Sequence, residues 1–345
     1  MKKLGIFLLI VIVIAAGGAF LAYNYYQTGI TKVVGKDLNF EIAAGSSTDT
    51  IISTLKTAGA DGIDDNVFRL YLRQEGAGSQ LKAGKYSLTG ESTIQTIVAK
   101  LREGTVSKGV KVTLPEGIKA DSVAERISNA FVQAGGQSRS QALLDLIKSS
   151  DISWLSEVLQ TFLQERKPDD KPLEGFLYPD TYEFFLDASN ESIISALVEN
   201  FMKKTAALPL NSSGRTFYQN LVLASIVDKE SLGSVDRPLV ASVFSNRLKI
   251  GMALQSDATV NYATGASNPR PTSQELLFNS PYNTYKYPGL PPTPINSPRL
   301  GSLQAAMNPE DTDYYYFLHE QDGTGQIWLA KTLAEHNQNT RKYLD

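Results

Sequence analysis

The segment LASIVDKES, Leu223 to Ser231, closes an apolar run with three consecutive charged residues. Its periodicity predicts a helix, and at about 100° per residue Leu221, Ala224 and Asp228 share one side. Val222, Leu223, Ile226 and Val227 cover most of the opposite half. A helix apolar nearly all round is a buried one. Glu230 follows Val227 and Ile226 by one helical turn and points where they point. Asp228 projects about 160° away, so the two acids are not a pair aimed at one bond. A carboxyl among aliphatic side chains loses hydration, which raises its pKa toward the range of a general acid. The same residues also allow a solvated helix end, although a helix C-terminus is electrostatically unfavourable for acids.

Few other chemistries are open. The 345 residues contain no cysteine, which removes disulfides, thiolate metal sites and cysteine nucleophiles. With two histidines, His319 and His336, a catalytic triad or multi-histidine metal site must use those two or be absent. A formal charge of -3 supplies no basic footprint for nucleic acid. No cofactor or metal is expected.

The length allows about two domains. At the N-terminus MKK precedes an uncharged apolar run from Leu4 to Tyr23. It matches the roughly 20 residues of a membrane-spanning helix. Tyr23, Tyr25 and Tyr26 then stand where an interfacial belt would be, and Lys2 and Lys3 favour an inside N-terminus. The expectation is an uncleaved single-pass anchor in the cytoplasmic (inner) membrane over 1–26, a linker over 27–37, and the rest outside. A small α+β module follows over 38–107: strand LNFEIAAG, two short helices, strand LKAGKYSL, and a helix stopped by Gly104. From 108 a larger α+β domain runs to 345, opening with strand GVKVTL and a helix bearing Val123 and Ile127. Within it PLEGFLYPDTYEFF, with Glu174, Asp180 and Glu183, reads as a shaped loop, and the chain from Leu254 to Pro298 as mostly irregular. Loops of that size are usually functional or disordered.

LASIVDKES resembles the signature of the endolytic murein transglycosylase (YceG-like) family. So, in order, do LPEG at Leu114–Gly117, EGFLYPDTY at Glu174–Tyr182, VASVFSNRLKIGMALQSDATVNY at Val240–Tyr262, SPYNTYKYPGLPPTPINSP at Ser280–Pro298 and EHN at Glu335–Asn337. The resemblance covers nearly the whole chain. It implies that the small module is LysM-like, a class associated with glycan binding, and that the larger domain is catalytic. It implies cleavage of the MurNAc–GlcNAc β-1,4 bond inside peptidoglycan strands, leaving 1,6-anhydro-MurNAc ends. The second acid of the family's signature maps onto Glu230 as the single acid and base. The first is Asp228 here, one methylene shorter, and so a supporting residue. Asn246, Gln255, Ser256, Asp257, Asn283 and Tyr285 match family positions as candidate sugar-binding residues. Glu174 and Asp180 are expected in turns or helix caps, and His336 in packing. Where the family often carries a histidine near GTGQIW, this chain has Gln326. Implied partners are glycan strands and the wall synthases of elongation or division. Two other readings stay open: a hydrolase pairing Glu230 with Glu174 or Asp257, and a non-catalytic wall-binding scaffold.

Overall fold

The structure is a computed structural model. It describes residues 2–43, 45–104, 109–320 and 324–344, with the side chains of the first helix from Val13 onward. The chain forms two compact units, Met1–Val110 with Glu183–Ser189, and Lys111–Tyr182 with Asn190–Asp345.

The first unit contains α1 (Lys2–Thr31), β1 (Val33–Ile42), α2 (Thr48–Thr57), α3 (Asp65–Gln74), β2 (Gly84–Thr93) and α4 (Ile94–Glu103). β1 and β2 pair antiparallel with Phe40 opposite Tyr86, whose rings stack at 5.5 Å between centroids. The alternation in LNFEI turns Leu38, Phe40 and Ile42 to one buried face. Ile51, Ile52 and Leu55 of α2, Val67, Phe68 and Leu72 of α3, and Ile97, Val98 and Leu101 of α4 join the same core. Local chemistry sets the helix ends. Ser47 and Asp64 accept first-turn N–H groups of α2 and α3, Thr93 and Thr96 form a capping box on α4, and Gly104 stops α4 at φ 65°. Helix and strand fill 27–37, where the sequence predicted a linker. The predicted domain boundary at 107/108 lies outside the described residues.

The predicted membrane anchor is corrected. Among the described residues no helix is long and apolar enough to cross a membrane, so neither the transmembrane element nor the inner-membrane localisation built on it stands. The segment is helical in α1, and its described side chains, from Val13 to Tyr23, are uncharged and apolar before Asn24 and Gln27 intervene. The remainder of the predicted span, residues 4–12, lies outside the described side chains. The last turns of α1 belong to the unit's core instead: Tyr26 and Ile30 are buried, and a Cβ on Gly29 would lie 2.9 Å from Val67.

From Gly109 the chain continues through β3 (Gly109–Thr113), α5 (Ala120–Gln133), α6 (Ser140–Lys148), α7 (Glu157–Gln164), β4 (Thr181–Phe185) and α8 (Asn190–Thr205). Then come β5 (Asn211–Ser212), β6 (Arg215–Thr216), α9 (Phe217–Glu230), α10 (Arg237–Lys249), α11 (Asp257–Thr264) and α12 (Ser273–Leu276). α13 (Leu300–Met307), β7 (Tyr316–His319), β8 (Ile327–Ala330) and α14 (Leu333–Tyr343) complete it. Among the described residues strands pair two by two, β1–β2, β3–β4, β5–β6 and β7–β8, and helices carry the core of the second unit. The architecture is α+β.

α9 is the central element. A Thr216–Gln219 capping box starts it, and every residue from Phe217 to Asp228 except Gln219 is buried. α13 and α10 pack against it. Two predicted loops contain structure: β4 lies within PLEGFLYPDTYEFF, and α11 within the segment after Leu254. The β-branched and polar composition of DATVNYAT gives little helix propensity. Burial of Thr259 and Val260 supplies what local preference does not.

Candidate active site

The three charges of DKE go three separate ways. Asp228 is buried, and its Oδ1 accepts from Arg299 Nε and Ser302 Oγ, both at 2.7 Å. Arg299 and Ser302 stand at the start of α13, so this carboxylate ties the end of α9 to that helix. Gly117 comes so close that a Cβ there would lie 2.8 Å from Asp228 Oδ2; its φ of 69° also favours glycine. Lys229 lines a polar cleft of about 770 Å³ with Glu116 and Arg126. Glu230 lines a different cleft, of about 480 Å³. The larger cleft is not where the inward acid of α9 lies.

Glu230 is half-buried where it lines the cleft. Burial pushes its pKa up. The Ser256 hydroxyl, donating to Oε1 at 2.5 Å, pulls the other way, the Asp257 charge adds to the rise, and the Ala258 N–H and Arg247 oppose it. The last turn of α9 thus meets the first turn of α11, where free N–H groups and the helix dipole favour an anion. A carboxyl held between opposing influences can give up a proton and take one back.

The other predicted residues divide by position. Gln255, Asp257 and Tyr285 line the cleft with Glu230. Gln255 is exposed with φ 53°, a conformation uncommon outside glycine. Tyr285 donates to Asp257 Oδ1 at 2.6 Å, and burial first, then that carboxylate, push the phenol up. Asn246, Ser256 and Asn283 are buried and are not among the lining residues. The Asn246 amide donates to the Thr312 and Tyr314 carbonyls at 2.8 and 3.0 Å. The Asn283 amide donates to the Leu276 and Phe278 carbonyls at 3.0 and 2.9 Å and accepts from the Tyr285 N–H at 3.0 Å. Glu174 is buried, accepts from the Ala120 N–H at the start of α5 at 3.1 Å and from Tyr262 Oη at 3.3 Å, and does not line the cleft. Burial pushes it up to about 8, against those two hydrogen bonds. Asp180 accepts from Thr181 N–H and Asn200, as a turn residue does.

The lining residues not singled out in the sequence for this role include Arg247, Arg270, Tyr316 and His336. Arg247 is buried and donates to the Tyr315 and Leu254 carbonyls, both at 2.6 Å. Its signal was readable, since an arginine inside the apolar VASVFSNRL needs partners at depth. Tyr316 stacks on His336, with ring centroids 5.3 Å apart, and burial pushes that imidazole down. Their pairing joins β7 to α14, which no local pattern announces. His319 instead meets Asp236 at 2.9 Å, and Asp236 also accepts from the Leu232 and Gly233 N–H groups, holding the turn after Glu230. Among the described residues no His, Cys, Asp and Glu cluster could hold a metal ion.

Fold and site together define a helix-rich α+β protein that presents one end of a buried helix, with its carboxyl, to an aromatic-walled cleft. The chain belongs to the YceG-like family, whose model matches residues 40–342. It is 35% identical to the endolytic murein transglycosylase of Bacillus subtilis over 95% of this chain and 91% of that one. It is 28% identical to the endolytic murein transglycosylase of Streptococcus pneumoniae over 98% of this chain, which spans 64% of that longer protein. The crystal structure of a YceG-like protein from Listeria monocytogenes matches 88% of this chain and 99% of its own, at 34% identity and a TM-score of 0.59.

Proposed function

We propose that this chain is an endolytic murein transglycosylase, a lyase that cuts peptidoglycan glycan strands internally at the MurNAc–GlcNAc β-1,4 bond. The observation that carries this reading is the half-buried Glu230, held by the Ser256 hydroxyl, at a cleft of about 480 Å³ lined by aromatic and polar side chains. The two relatives bearing that activity in their names support it. In the proposed reaction Glu230 gives its proton to the glycosidic oxygen as the C1–O4 bond breaks. The C6 hydroxyl of the same MurNAc then closes on C1, and its proton returns to Glu230. The products are a GlcNAc end with a free O4 hydroxyl and a 1,6-anhydro-MurNAc end, and the carboxyl is regenerated. Gln255, Asp257 and Tyr285 supply hydrogen-bonding groups at the cleft, with the Tyr285–Asp257 pair orienting the sugar. We assign Asp228, Asn246, Asn283 and Glu174 to holding the elements around it.

The LysM-like reading of residues 38–107 belongs to the same proposal. A groove of about 440 Å³ lined by Arg69, Arg73 and Ser79 supports glycan retention there. The partners are glycan strands and, by extension, the synthases that polymerise them.

Asp257 beside Glu230 favours one competing reading, a two-carboxylate hydrolase. Such enzymes place two acids about 5–9.5 Å apart around the bond. Mass spectrometry of digested, uncrosslinked strands separates the readings: anhydro ends are expected, and reducing MurNAc ends would replace transglycosylation with hydrolysis. Glu230→Gln should lower the cleavage rate by at least ~100-fold with the melting temperature kept, since general acid–base groups contribute on that scale. Cleavage at the wild-type rate would remove Glu230 from its role.

A further inference from the structure

A buried hydroxyl holds the Glu230 carboxyl from the protein side. Ser256 is 1% exposed, so the donor end of the hydrogen bond from its Oγ to Glu230 Oε1 is buried. A small network fixes Ser256 in turn. Its N–H donates to Thr284 Oγ1 at 3.1 Å, and its carbonyl accepts from Thr259 Oγ1 at 2.7 Å. The Thr259 and Thr284 hydroxyls lie 2.8 Å apart, and all three residues are buried. The Gln255 N–H donates to the Thr284 carbonyl at 3.1 Å, so backbone and side chain of Thr284 both brace the start of α11.

We infer that Ser256 is a positioning residue for the reaction: it fixes one oxygen of Glu230 so that the other meets the glycosidic oxygen. This rests on the role proposed for Glu230. A donor aimed at a carboxyl stabilises the ionised form. Here it offsets the desolvation that works against ionisation, and both protonation states stay accessible during the cycle. A sugar ligand would need its hydroxyl at the cleft, whereas this one is committed behind the acid. The Thr259–Thr284 pair explains why a residue with no substrate contact is held so tightly.

The test compares Ser256→Ala, Ser256→Cys and Ser256→Thr in the whole chain. Cysteine keeps the volume but is a weak donor, and threonine keeps the hydroxyl. Losing the donor should lower kcat roughly tenfold with KM little changed, as expected for a charge-assisted hydrogen bond. It should also move the alkaline limb of the kcat profile to higher pH, because the protonated acid then persists further. The cysteine variant should follow alanine, and threonine should follow the wild type. The Glu230 carboxyl is titrated in parallel by 13C NMR, its resonance assigned by its loss in Glu230→Gln, and should move upward in the alanine and cysteine variants. An unmoved titration overturns the inference, as does a cysteine variant indistinguishable from serine. A rise in KM with an unmoved pH profile would make Ser256 a substrate ligand and overturn it equally. If the wild type cuts no glycan while the titration moves, the transglycosylase reading fails and the Ser256–Glu230 coupling stands.

Discussion

Burial pushes up the carboxyls of both Glu174 and Glu230, and their surroundings separate what that rise can do. Glu230 borders a cleft, so its proton can reach a substrate. Glu174 spends its acceptors on the Ala120 N–H and Tyr262 within the fold. For Glu174 the consequence is therefore in stability. Its folded pKa of about 8 lies above the unfolded value, so the folded state binds the extra proton between roughly pH 4.5 and 8. Stability from this group is complete below that window and is lost as pH rises through it. Glu174→Gln, which cannot ionise, should flatten the fall in melting temperature between pH 5 and 8.5. Parallel curves for wild type and variant would show that this carboxyl does not titrate in the window.

At the scale of elements, the site exists where α9 ends, α13 begins and α11 begins. α9 delivers Asp228 and Glu230 to opposite sides by helical phase alone. Asp228 then pins α9 to α13 through Arg299 and Ser302. Removing a buried acceptor of three donor groups, from Arg299 and Ser302, should cost about 2–3 kcal/mol, at the low side for a buried pair because Arg299 keeps contact with water. Asp228→Ala should lower the urea midpoint accordingly, and Asp228→Asn, which keeps an acceptor, should lower it less. A change below about 0.5 kcal/mol in the alanine variant would mean that the tie contributes little. The helix phase behind this arrangement was legible in LASIVDKES. α11 was not, because DATVNYAT becomes helical through burial rather than propensity.

For the whole molecule, two compact units with separate cores predict two thermal transitions. Leu55 is fully buried in the first core, so Leu55→Ala should destabilise that unit by about 2–5 kcal/mol and leave the other transition in place. Calorimetry showing one transition that moves as a whole would contradict independent units. The small module was largely readable, because Ser47, Asp64 and Gly104 end their helices through residues within a few positions. The membrane span was read from composition alone, and among the described residues no helix is long and apolar enough to cross a membrane.

By itself the sequence determined the family, the buried character of α9 and the separation of its acids, since each depends on local order or helical phase. Only the tertiary structure decided which polar residues face the cleft. Gln255 and Tyr285 reach it, while Asn246, Ser256 and Asn283, of the same polar character, turn into the protein. Residue type records the capacity to hydrogen-bond, and the partner is chosen by segments far away in the chain. Glu230 shows the division most plainly: its direction was written in the helix, and the hydroxyl that holds it came from Ser256, across the fold.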